Sequence, residues 1–111
     1  MHTKATETMA NSFTYKITNE SEIFSFDYSL VLDPSETISS ASCAVIVMNG
    51  TDPNPTAILS GAPAISGGKV LQRVYQGISE VTYRLVMTAT TSYGNIYDAI
   101  GDLPVYDASL V

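Results

Sequence analysis

The chain has almost none of the side chains from which catalytic and metal centres are built. Its 111 residues include one histidine and one cysteine. The histidine is His2, in a polar N-terminal stretch. Without a second His or a Cys pair, no zinc site is expected. A Ser-His-Asp or Cys-His centre would need His2 carried into a pocket from the chain's far end. The lone Cys43 rules out an intramolecular disulfide, so the fold does not depend on an oxidising compartment. Basic residues are scarce, 5 against 11 acidic ones, for a net charge of −6. Lys4, Lys16, Lys69, Arg73 and Arg84 are scattered and form no stripe, and a phosphate backbone repels such a surface, so no nucleic-acid partner is expected. The longest unbroken apolar run, Cys43 to Met48, is far short of a bilayer span, and no membrane partner is expected. No apolar stretch follows Met1–Glu7 as a secretory signal would require, so synthesis and folding in a cytoplasm are expected.

Two short motifs suggest ligand sites and do not meet their requirements. Ser66-Gly67-Gly68-Lys69 has the Gly and Lys of a phosphate loop but neither its spacing nor a following helix, so it reads as a turn. Asp33-Pro34-Ser35-Glu36 offers two carboxylates where calcium takes six or more oxygens, and it too reads as a turn. No catalytic, metal or cofactor residue is assigned.

What the sequence does have is β-pattern. Apolar residues make up 45% of it, well above a disordered composition. Its length suits one domain, which buries roughly 65% of its unfolded surface. The clearest element is Val81 to Thr91. There Val81, Tyr83, Leu85, Met87 and Ala89 alternate with Thr82, Arg84, Thr88 and Thr90, a period of two. Lys69–Gln76 precedes it across the Gly77–Glu80 turn, and an extended segment from Ile96 follows the Ser92–Asn95 turn. In that last segment Gly101 and Pro104 suggest a bulge or an end of pairing.

Upstream, Glu22 to Leu32 reads as a strand whose Phe24, Phe26, Tyr28 and Leu30 face the core. Thr37 to Met48 is the next strand, apolar on both faces near its end. Either it is buried on both sides, or Ala41, Cys43, Val45 and Val47 form the inner face while Ile46 and Met48 are covered by a neighbouring subunit or by the N-terminal arm. Asp52, Pro53, Asn54 and Pro55 fall in a stiff exposed loop over 49–56, a candidate contact site, since each residue before a proline is held extended. Thr56–Leu59 and Ala62–Ile65 read as two short extended pieces separated at Ser60-Gly61. Residues 1–20 read as an arm and 21–106 as the sandwich, with 107–111 a tail. Within the arm, Phe13, Tyr15 and Ile17 alternate as an edge strand would. They are candidate contacts, able to pair within the domain or add to another chain's sheet, with 1–12 mobile until assembly. The fold class expected is all-β: a two-sheet antiparallel sandwich of about seven strands.

Gly77-x5-Tyr83-x-Leu85-x-Met87-x-Ala89 followed by Thr91-Ser92-x-Gly94-Asn95 resembles the last strands of immunoglobulin-like and fibronectin-III-like modules. There a Tyr opens the penultimate strand and its hydroxyl bonds back to the preceding turn, the position Tyr83 holds here. Phe24-x-Phe26-Asp27-Tyr28-Ser29-x-x-Leu32, Glu36-Thr37-Ile38-Ser39-Ser40-Ala41 and Gly67-Gly68-x-Val70-x-Gln72-x-Val74-x-x-Gly77 are similar to segments of small Ig-like virion proteins of tailed bacteriophages. Where those often have Trp after the Ser-Ala run, this chain has Cys43, so its core anchor must differ. The resemblance implies a non-enzymatic structural protein of the virion. Decoration of the capsid surface is the first expectation and a neck or head–tail component the second. A carbohydrate- or receptor-binding Ig-like module is the alternative from another class. The partners implied are capsid or neck proteins and copies of the chain itself, in loop and edge contacts summed by avidity.

Overall fold

The structure, a computed structural model, describes the backbone of residues 10–111 and the side chains from Phe13 onward. The strands are β1 (Ala10–Ser12), β2 (Lys16–Ile17), β3 (Ser21–Asp27), β4 (Ile38–Asn49), β5 (Leu59–Ser66), β6 (Lys69–Tyr75), β7 (Val81–Thr91) and β8 (Ile96–Tyr106). They form two sheets. The larger runs β1-β8-β7-β4, with β2 following β1 along the same side of β8, and the smaller runs β3-β6-β5. Counting β1 and β2 as one interrupted edge strand, the molecule is an all-β sandwich of seven strands.

The period-two pattern decides which face is buried. In β7, inward residues from Val81 to Thr91 are buried and the residues between them half-exposed, without exception. β8 supplies Ala99, Leu103 and Val105 to the same layer, and β3 and β6 supply Phe24, Phe26, Val70 and Val74 from the other sheet. Tyr28 is fully buried just past the end of β3 and donates its hydroxyl to the Met87 carbonyl at 2.6 Å, tying one sheet to the other.

The N-terminal segment is part of this sandwich. β1 and β2 both pair parallel to β8, Ala10 to Ser12 beside Ile100 to Asp102 and Lys16–Ile17 beside Val105–Tyr106. The sheet therefore begins before residue 21. The ring of Phe13 enters the core, 4.7 Å from the Phe24 ring and 5.7 Å from that of Phe26, measured between centroids. The break between β1 and β2 has a local cause. Phe13 donates its N–H to the Asp102 carbonyl at 3.0 Å. The next rung of a parallel ladder would come from the nitrogen of residue 104, and Pro104 has no hydrogen to give.

Four details differ from the expectations above. β3 ends at Asp27, and Leu30 is 73% exposed instead of in the core. The Asp27 carboxylate accepts the Ser29 N–H at 2.9 Å, and Val31 and Leu32 both donate back to the Tyr28 carbonyl, which turns the chain away. Residues Pro55–Ile58 form a single 3₁₀ turn with Pro at its start, not an extended piece. Leu59–Ser66 is one strand, with an irregularity between Ser60 and Ala64 where two pieces were expected. Gly101 and Pro104 do not interrupt β8 against β7, whose register runs unbroken from Val81↔Val105 to Thr90↔Ile96. Of the expected mobile arm, residues 1–9 lie outside the described residues.

Candidate contact surfaces

At one end of the sandwich three connections meet: the β2–β3 turn, the loop after β4 and the β6–β7 turn. They enclose an open depression of about 440 Å³ lined by Thr18, Asn19, Asp52, Asn54, Ile58 and Ile78 among others. Tyr83 organises this end. Its side chain is fully buried. Its hydroxyl accepts the Ile78 N–H at 2.9 Å and donates to the Asp52 carboxylate at 2.8 Å. Burial, and then the Asp52 carboxylate, push the Tyr83 phenol up to about 12, with the Ile78 bond acting in the other direction. The second oxygen of Asp52 accepts the Asn54 N–H at 2.9 Å. Both carboxylate oxygens are thus engaged in holding the loop. Asp52 and Pro55 are half-buried, while Pro53 and Asn54 stand exposed. The loop also sits close over the β6–β7 turn. A Cβ at Gly50, whose φ is +89°, would come within 2.9 Å of the Glu80 carbonyl oxygen.

The candidate residues of the N-terminal segment have separate fates. Phe13 is in the core. Ile17 is half-buried and pairs on one side with Tyr106 of the same chain. Tyr15 is 50% exposed and meets the Tyr106 ring edge-on at 6.1 Å. Of the two pairings open to this segment, the one within the domain is formed, Lys16–Ile17 against β8. Lys16 carried no expectation and is fully buried. Its ammonium donates to the carbonyls of Ile17 at 2.9 Å, Thr18 at 3.3 Å and Gln76 at 2.5 Å. Desolvation lowers its pKa, with Glu20 and Glu22 opposing. No sequence signal announces this cage, because Gln76 arrives from sixty positions away.

The inner face of β4 is Ala41, Cys43, Val45 and Val47, all packed against the core cluster, while Ile46 and Met48 on the outer face are 50% and 48% exposed. Among the described residues nothing covers that outer face, so the strand's one buried face within the chain is the inner one. Cys43 is half-buried, and burial pushes its thiol up to about 11, the opposite of an activated nucleophile. Beside Ile46 the outer face carries Arg84, whose guanidinium grips the Asp102 carboxylate through two bonds of 2.7 and 3.0 Å.

At the opposite end, Glu36 fastens the β3–β4 loop to the β7–β8 hairpin. One carboxylate oxygen accepts the Asp33 N–H at 3.0 Å, and the other accepts the Thr91 hydroxyl at 2.5 Å and the Asn95 amide at 2.9 Å. These bonds, that of Thr91 first, hold its carboxyl below the usual value of 4.5. In the sequence Glu36 reads as a plain turn residue. Its partners are 55 and 59 positions away.

Among the described residues no group of three or more His, Cys, Asp or Glu is placed to hold a metal ion, and no helix is long and apolar enough to cross a membrane. Buried Lys16 and Glu36 tie loops, and buried Tyr83 with half-buried Asp52 ties an end together. What remains accessible is a stiff loop end, an apolar stripe on one sheet and a sheet edge. Residues 13–100 match the family described as podophage GP4 fiber-tail adaptor protein gp77, and the chain belongs to that family. It is thus a structural protein of a tailed bacteriophage and part of the virion. No curated protein matches the chain.

Proposed function

We propose that the protein is a non-enzymatic adaptor of the phage tail, joining tail to fibre by protein–protein contact, and not a decoration of the capsid surface. The observation that carries this reading is the family match over residues 13–100, which includes the greater part of both sheets. The sandwich is Ig-like in this reading. Two features support that: the strand sets β3-β6-β5 and β8-β7-β4, and the Tyr83 hydroxyl reaching back to the turn before its own strand. The loop bearing Asp52, Pro53, Asn54 and Pro55 is one contact surface with a neighbouring tail or fibre chain. Its backbone is held in advance by Tyr83, so little ordering entropy remains to oppose binding.

Gold-labelled antibody against the purified protein tests this directly on whole particles. Label is expected where fibres leave the tail. Label spread over the capsid shell would overturn the adaptor reading in favour of decoration.

A further inference from the structure

The four sheet edges of this molecule are not alike. An exposed edge is a row of unpaired N–H and C=O groups, and proteins block it with charge, proline, breaks or bulges. The β1/β2 edge is interrupted between Ser12 and Lys16. The β3 edge carries exposed Glu22 and Asp27. The β5 edge contains Gly61 and Pro63 and loses register between Ser60 and Ala64. β4 has none of these devices along its middle. Its 12 residues, Ile-Ser-Ser-Ala-Ser-Cys-Ala-Val-Ile-Val-Met-Asn, include no charge, no proline and no glycine. Its irregularities sit at the two ends, between Ile38 and Ser40 and between Val47 and Asn49, leaving Ser40 to Val47 in even register with β7. Among the described residues, no backbone hydrogen bond from outside the sheets reaches β4.

We propose that β4 is the docking edge for a second copy of this chain. Two copies join antiparallel through Ala41–Val47, with Ala44 opposite Ala44 at the axis, so that the large sheet continues across a two-fold axis. Charge selects this occupant. Each copy carries a net charge of −6, so self-association needs an uncharged meeting surface, and β4 provides one where the β3 edge would set Glu22 and Asp27 against their counterparts. A two-fold antiparallel pairing is also self-complementary, since each residue's partner on one face lies on the same face of the other copy. On the outer face the pairing brings Ile46 and Met48 of each copy toward Ser40, Ser42 and Ala44 of the other and covers apolar surface now half in water. One strand pair with two apolar side chains from each copy is at or below the low end of specific interfaces, about 1,200 Å². The dimer is therefore concentration-dependent in free solution and reinforced when many copies are held in one particle. The inference concerns the isolated chain and does not rest on where the protein sits in the virion.

Sedimentation equilibrium on the purified protein provides the test. The wild type should rise from the 11.9 kDa monomer toward twice that mass across the micromolar range. The double variant Ala44→Lys, Ile46→Lys puts lysines on the outer face of β4, where they meet across the axis. It should stay monomeric with an unchanged circular dichroism spectrum. Ser25→Lys, on the exposed face of β3, should associate like the wild type. A wild type that stays monomeric up to millimolar concentration would overturn the proposal. So would a double-lysine variant that associates as tightly as the wild type, or loss of association in Ser25→Lys.

Discussion

The ring of Phe13 occupies the space that a side chain at position 101 would need. A Cβ built on Gly101 would lie 2.2 Å from the Phe13 ring, well inside contact distance. Gly101 faces inward between Ala99 and Leu103, so β8 leaves one gap in its core face and the N-terminal segment fills it. This makes Gly101→Ala an overpacking change expected to cost about 1–3 kcal/mol. In the Phe13→Ala background the added methyl has room. The two substitutions should then be non-additive, the double variant being more stable than the sum of the singles by about 0.5–3 kcal/mol. Urea denaturation of the four proteins measures this coupling, and simple additivity would contradict the packing.

Removing residues 1–18 takes away Phe13, Lys16 and the β1/β2 edge together. The truncated chain is accordingly expected to unfold at much lower denaturant than the full one. A milder probe is Lys16→Met, which leaves the carbonyls of Ile17, Thr18 and Gln76 without their shared donor. A buried acceptor left unpaired costs about 1–3 kcal/mol. A Lys16→Met protein as stable as the wild type would show that the cage is incidental.

Tyr83→Phe removes an acceptor from the Ile78 N–H and a donor from Asp52 in one step, and about 2 kcal/mol of stability is expected to go with it. The same phenol shapes the alkaline limit. Its folded value, about 12, lies above the ordinary 10.0, so its contribution is complete below pH 10 and is lost as pH rises toward 12. Cys43, raised from 9.0 to about 11, and Tyr28, also raised by burial, act in the same sense. Thermal midpoints should therefore fall from about pH 9 upward. The fall should be shallower in Tyr83→Phe.

On the acid side the sign is reversed. Glu36 is held below 4.5 by Thr91, Asp33 and Asn95, Asp102 is held low by Arg84, and Asp27 is held low by Ser29. Depressed carboxylates stabilise the fold above their unfolded values, and that contribution disappears as pH falls through the folded ones. Denaturation midpoints should decline below about pH 4.5, the ordinary glutamate value, and Glu36→Gln should flatten the decline while lowering stability at pH 7. An unchanged slope would remove Glu36 from the account.

Cys43 should react slowly with thiol reagents at neutral pH and quickly in denaturant, because a thiol raised to about 11 holds almost no thiolate at pH 7. Rapid labelling of the folded protein would place the inner face of β4 in solvent.

The elements legible in the sequence were those in which the local pattern and the tertiary environment agree. β7 runs from Val81 to Thr91 as its alternation required, because it lies between β8 and β4 and has one buried face throughout. The alternation of Phe24, Phe26 and Tyr28 continues through Leu30 in the sequence, but the strand ends at a turn at Ser29 formed by the Asp27 side chain. Gly101 looked like a break because glycine weakens strands in general. Its real reason, the Phe13 ring, comes from the other end of the chain. Lys16, Glu36 and the Asp52–Tyr83 pair are not legible as structural devices for one reason: each is completed by a residue dozens of positions away. The contact loop at 49–56 was legible from its prolines, but what holds it was not.

The central proposal is that this protein connects tail and fibre. Electron microscopy of particles assembled from a phage whose gene for this protein is interrupted by a stop codon tests it most directly. The account predicts filled, intact heads with tails that lack fibres, restored when the wild-type protein is supplied in trans. Particles that keep their fibres while their capsids lose stability or surface protrusions would contradict it.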